Sequence, residues 1–177
     1  APILANGSTL SYTENQAATA INSAITVSDV DNATLSSAMV QITGNYQGAE
    51  DVLGFTNSGG MGNISGVWNS GSGTLALSSA GATATVAEWQ AALRAVTYAN
   101  TSNDPSTAAR TVGFAVNDGS LASNTVNSTV NITATNNAPS MTNLAGDALA
   151  YSEGDGPVVI EQGLDATVND VDSADFN

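Results

Sequence analysis

The chain echoes itself, and the echo is cut short. Ala1-Pro2 recurs as Ala138-Pro139, about 137 residues later. Tyr12-Thr13-Glu14-Asn15 recurs as Tyr151-Ser152-Glu153-Gly154, and Val27-Ser28-Asp29-Val30-Asp31-Asn32 as Val168-Asn169-Asp170-Val171-Asp172-Ser173. Three landmarks in one order at nearly one spacing mark a tandem repeat. The second copy holds only the opening strands of the unit, and two or so strands cannot enclose a core alone. Residues 1–136 are therefore expected to form one full domain, and residues 137–177 a linker and the first strands of an incomplete second repeat. The missing strands are expected either from further along a longer chain or from another molecule.

Within the first copy the hydrophobic period is that of strands. Thr9–Thr13, Ala24–Ser28 and Ala38–Thr43 alternate apolar and polar residues in whole or in part. Val52–Phe55, Asn63–Trp68, Gly73–Leu77, Arg110–Val116 and Asn124–Thr133 follow. Gly- and Asn-rich turns separate them, and Asn117-Asp118-Gly119-Ser120 suits a hairpin because Asp-Gly tolerates positive φ. One segment has helical spacing instead: Val86, Trp89, Gln90, Leu93 and Val96, with Thr85 and Glu88 placed as a capping box. The fold class is therefore all-β, a two-sheet β-sandwich with one short helix near residues 85–94, in which Trp89 and Leu93 close one end of the core.

Charge narrows the functions. There are 16 acidic residues against 2 basic ones, no His and no Cys, for a formal charge of -14. Such a chain lacks the cations that displace counterions from nucleic acid or anionic lipid, so neither is an expected partner. No stretch is long and apolar enough to span a bilayer. Without Cys, a secreted domain has no disulfide staple, and metal is a common substitute. The two Arg residues, Arg94 and Arg110, are each expected to pair with a carboxylate inside the domain. Without His or Cys, a nucleophile elbow, or two acids spaced to bracket a sugar ring, no enzymatic activity is expected.

The chemistry that remains is oxygen ligation. Calcium takes many oxygen ligands, several of them charged. Asp29 and Asp31 lie one residue apart, so both can face one ion at a strand end. Asp118 sits in the hairpin before the last strand, and Glu14 ends an early strand. Asp170, Asp172 and Glu153 are the second-copy counterparts of Asp29, Asp31 and Glu14, and Asn136 and Asn137 add amide and carbonyl oxygens before Pro139.

These same residues carry a resemblance. Asn136-Asn137-Ala138-Pro139 resembles the Ala-Pro-ended linker of cadherins and bacterial cadherin-like repeats. Asp29-Val30-Asp31 resembles their Asp-x-Asp calcium motif, Val116-Asn117-Asp118-Gly119 their Ala-x-Asp element, and Glu14 their first-strand Glu. The run from Trp89 to Tyr98, with Asp118-Gly119, is similar to repeats of very large bacterial calcium-binding surface adhesins of the RTX type. Those repeats are in turn similar to chondroitin sulphate proteoglycan-type ones. The resemblance implies a cadherin-like or Ig-like sandwich on the bacterial cell surface, with Ca2+ at each inter-repeat junction stiffening a stalk or fibre. It implies that Glu14, Asp170 and Asp172 meet at the Asn136-Asn137 junction, with Glu50-Asp51 as helpers. It also implies that Asp29, Asp31 and Asp118 face the linker of a preceding copy. Asn where cadherin linkers usually carry Asp implies weak binding, on the order of 10⁻⁴ to 10⁻³ M.

Two other readings compete. The chain can be a filament subunit completed by strands of a neighbour, a homopolymer of this repeat. It can also be a calcium-dependent carbohydrate-binding module for a glycan or cell-surface ligand, which needs exposed aromatics. Trp68, Tyr46 and Tyr98 are the candidates, although their strand contexts favour packing. Asn-x-Ser/Thr sequons at Asn6, Asn32, Asn63, Asn100, Asn127 and Asn131 leave glycosylation undecided.

Overall fold

The computed structural model describes residues 1–144, 146, 148–161, 163 and 165–173. The chain divides into two units, Ala1–Thr135 and Asn136–Asn177. The first unit runs β1 (Ile3–Ala5), β2 (Thr9–Thr13), β3 (Thr19–Ala20), β4 (Thr26–Ser28), β5 (Ser37–Gly44), β6 (Asp51–Gly54), β7 (Ile64–Asn69) and β8 (Thr74–Ser79). It continues with α1 (Val86–Arg94), β9 (Thr97–Asn100), β10 (Arg110–Asn117) and β11 (Val126–Thr133).

These strands make a sandwich-like all-β fold. A six-stranded sheet has the order β2-β11-β10-β5-β8-β7, a three-stranded sheet the order β3-β9-β6, and β1 and β4 form a ribbon. Every pairing is antiparallel except β2 with β11, where Leu10 lies beside Val130 and Tyr12 beside Ile132. Alternation decides which face is inward. Ala38, Val40 and Ile42 of β5, Leu75 and Leu77 of β8, and Val112, Phe114 and Val116 of β10 are buried, while Met39, Ala76 and Ser78 between them are exposed. One hydrophobic core joins these residues to Leu4, Val27, Leu53 and Tyr98 from the other strands.

The helix forms where its cap dictates. The Glu88 amide donates to the Thr85 hydroxyl, and the Glu88 carboxylate accepts the Thr85 N–H at 2.7 Å. That capping box satisfies the first orphan N–H groups of the helix. Trp89 and Leu93 are fully buried, and the Trp89 indole N–H donates to the Leu35 carbonyl at 3.0 Å. The chain crosses from the β1–β4 ribbon into the large sheet at Asn6-Gly7-Ser8. Asn6 takes a positive φ of 67°, and a Cβ on Gly7 would stand 2.3 Å from the Asn127 carbonyl oxygen, so only glycine fits there.

The second unit repeats the opening of the first at the level of single hydrogen bonds. Its strands β12 (Ser140–Thr142) and β13 (Thr167–Asn169) pair Ser140 with Asn169, as β1 and β4 pair Ile3 with Ser28. Asn143 has positive φ like Asn6, and its amide donates to the Asp165 carbonyl as that of Asn6 does to Ala24. The Tyr151 hydroxyl donates to the Asp155 carbonyl as that of Tyr12 does to Gln16. The Ser152 N–H donates to the Asp155 side chain as that of Thr13 does to Gln16. The apolar residues differ in surroundings: Leu4, Tyr12 and Val27 are buried, whereas their counterparts Met141, Tyr151 and Val168 are 51–63% exposed.

Candidate functional site

At one end of the first unit the β4 strand runs directly into Asp29. The Asp31 and Asn32 N–H groups donate to Asp29 Oδ1 at 2.9 and 3.2 Å, which turns the chain at the strand end and leaves Asp31 exposed. The hydrogen bond from the Asp31 amide holds the Asp29 carboxyl below the ordinary aspartate range. Its other oxygen, Oδ2, is buried without a hydrogen-bond partner.

Asp118 arrives from the six-stranded sheet, at the end of β10. Its Oδ1 accepts the N–H groups of Ser120 and Leu121, both at 2.7 Å, across a turn that Gly119 makes possible at φ 105°. Those two amides, Leu121 first, hold it below the ordinary range. The Asp118 Oδ2 accepts from the Asn32 amide at 3.2 Å, and the side chain is only 4% exposed. The Ala1 amine lies 3.9 Å from Asp31 Oδ2 and 3.8 Å from Asp118 Oδ2. Asn32 is bonded to both Asp29 and Asp118, so these two acids, far apart in sequence, are joined at one end of the unit.

The second unit builds a matching corner from Asp170 and Asp172 at the end of β13. The Asn137 backbone N–H donates to Asp172 Oδ2 at 2.8 Å, and its side-chain amide reaches the same oxygen at 3.4 Å. That backbone donor lowers the Asp172 carboxyl, while burial, followed by the neighbouring Asp172, raises Asp170. Asp172 Oδ1 is buried without a hydrogen-bond partner. Asn137 therefore belongs to this corner. The Asn136 amide donates to the Asn137 carbonyl, and Glu153 lies exposed in the turn after Tyr151. Among the described residues, no three acidic side chains are arranged to hold a metal ion by themselves.

Glu14 is buried in the first unit. Its Oε2 accepts the Thr135 N–H at 2.9 Å, and its Oε1 accepts the Asn15 amide at 3.2 Å, so it clasps the strand by which the chain leaves the sandwich.

The Glu50-Asp51 expectation is corrected. Asp51 is fully buried, and both its oxygens are engaged by neutral and charged donors of the first unit's interior. Arg110 Nε donates to Oδ2 at 2.8 Å, the Gln47 N–H to the same oxygen at 2.8 Å, and the Tyr98 hydroxyl to Oδ1 at 2.6 Å. Glu50 Oε2 accepts the Ser106 N–H at 3.2 Å and lies 3.4 Å from Arg110 Nη2. Arg110 balances one of the two negative charges, and the hydrogen bonds to both Asp51 oxygens turn that carboxylate into the core rather than toward a metal at a repeat junction. Burial, then the bond to Asp51, pushes the Tyr98 hydroxyl far above the ordinary tyrosine range, making it a fixed donor.

Arg110 thus has the carboxylate expected of it, and among the described residues Arg94 pairs with none. The Arg94 Nε donates instead to the Ile25 carbonyl at 2.9 Å, tying α1 to the segment before β4. Tyr98 is fully buried edge-on to Tyr12 at 5.0 Å, and Trp68 is half-buried edge-on to Tyr46 at 6.3 Å. Among the sequons, Asn100 is buried and bonded to Asp51.

The sequence reading missed the Tyr12–Tyr98–Asn100–Asp51–Arg110 network. Its one legible signal was the scarcity of Arg. No family model matches the chain, nor does any curated protein or solved structure.

Proposed function

We propose that the chain is a structural or adhesive repeat module of an extracellular surface protein, with Ca2+ bound at the acidic ends of its repeats to stiffen a stalk or fibre. The supporting observation is a duplicated one. In each unit an Asp-Val-Asp follows the second strand of the same antiparallel pair, and each motif has one buried oxygen without a hydrogen-bond donor, on its first aspartate in the first unit (Asp29 Oδ2) and on its second in the second (Asp172 Oδ1). A buried carboxylate oxygen without a donor is costly unless a cation satisfies it. Hard oxygen donors with no His or Cys suit calcium rather than a transition metal. Asp29, Asp31 and Asp118 would supply charge in the first unit, and Asp170 and Asp172 in the second. Carbonyl, amide and water oxygens would complete the shell, with Asn32, Asn136 and Asn137 nearest at hand. Glu14 fits a ligand role less well, because its oxygens already hold Thr135 and Asn15.

The test is a melting curve with and without millimolar calcium, with magnesium as control. A calcium-specific rise of several degrees, reduced by Asp29→Ala and by Asp172→Ala, is the expected result. An identical melt in both ions, or a rise that neither substitution touches, would sink the reading.

A further inference from the structure

We propose that the solvent face of the six-stranded sheet is an association surface for a second copy of this chain, seated on the row Val67–Ala76–Met39–Ala115. Ladder pairing sets these four side by side across β7, β8, β5 and β10: Val67 opposite Ala76, Ala76 opposite Met39, Met39 opposite Ala115. They form an apolar band crossing four strands on the outward face, with Val67 71% and Met39 50% exposed. Ser65, Ser78 and Ser37 flank it on one side, and Thr74 and Gln41 on the other.

The charge pattern identifies the partner. A chain of net charge -14 places no acidic residue in any strand of this sheet. The acids of the first unit lie in loops, in β6 and in α1 instead. A basic partner would therefore choose the loops, and an acidic partner would choose this face. The second copy is acidic, and its own neutral sheet is the surface on which the two can meet without opposing carboxylates. Arg110 is fully buried, which leaves Arg94 as the one arginine of the chain able to reach a carboxylate of another copy.

The face is also self-complementary. Met39 forms part of the wall of a groove of about 450 Å³ whose lining also includes the small residues Ala76, Ala115 and Ala122. A two-fold axis through the band would place each Met39, an unbranched and adaptable side chain, in the groove of the other copy.

The experiment is sedimentation of the full chain over a concentration series in EDTA, so that calcium plays no part. At about 0.5 M NaCl, where screening falls to a few ångströms, a monomer–dimer equilibrium is expected, with a Kd on the order of 0.1 mM. It should tighten with salt, because only long-range repulsion opposes it. Met39→Glu and Val67→Glu should each weaken it more than tenfold while leaving the melting temperature unchanged. A monomer at every concentration overturns the proposal. So does a dimer indifferent to Met39→Glu but broken by Val159→Asp, which would assign association to the second unit. Retention of the monomer on a neutral polysaccharide column, lost in Met39→Glu, would give the face to a glycan instead.

Discussion

Arg110 is the residue on which the interior of the first unit turns. It is 0% exposed and holds Asp51, also buried, at 2.8 Å. A buried pair adds little over an apolar replacement, but removal of one partner strands the other charge. Arg110→Met is therefore expected to cost about 3–5 kcal/mol in urea unfolding. Arg110→Met with Asp51→Leu should recover only part of that, because Tyr98, Asn100 and the Gln47 N–H then lose their acceptor. A single variant as mild as a surface change would contradict this. The end cluster makes a pH prediction of definite sign. Asp29 and Asp118 have folded values below the ordinary 3.8. Their contribution is complete above that value and is lost as pH falls through the folded values. Asp170, shifted upward, works the other way and loses its contribution as pH rises through its folded value. The melting temperature of the first unit, followed without calcium, should fall on acidification below about pH 4. The fall should be smaller in Asp29→Asn with Asp118→Asn, and an unchanged fall would exclude these two groups as its source.

At the scale of the element, α1 shows what a sequence can disclose. Its cap, its period and its buried Trp89 were all local, so Thr85, Glu88, Trp89 and Leu93 announced the helix. Thr85→Ala should cost about 1 kcal/mol through the cap, and Trp89→Ala about 3–5 kcal/mol through the cavity and the unpaired Leu35 carbonyl. Equal costs in a denaturant titration would contradict this division. The long strands β5, β8, β10 and β11 were legible for the same local reason, since each alternates over enough residues to fix its faces. The strands β1, β3 and β9 were not. They are two to four residues long, and their identity comes from a partner remote in sequence, as when Thr19 meets Tyr98. The candidate site divides likewise. Asp29 with Asp31, and Asp170 with Asp172, could be read from the one-residue gap between acids. The fate of Asp51 could not, because it depends on Tyr98, Asn100 and Arg110 converging from β9 and β10.

At the scale of the whole molecule, the two units differ in what encloses them. The first buries Leu4, Tyr12 and Val27 in its own core, and the second leaves Met141, Tyr151 and Val168 in solvent. Cooperative stability should therefore reside in the first. In EDTA, a chain truncated after Thr135 is expected to keep the urea midpoint of the full chain. In the full chain, amides of β12 and β13 should exchange far faster than those of β5 and β10. A lower midpoint on truncation would show that the second unit supports the first. The first unit also has a feature that matters to any chain loaded from its ends. The strand near its entrance, β2, lies parallel to the strand at its exit, β11, through five residue pairs from Thr9–Thr129 to Thr13–Thr133. Tension drawing the two ends apart slides these strands lengthwise against each other. The rungs between them then bear the pull simultaneously, in shear, rather than opening one after another like a zip.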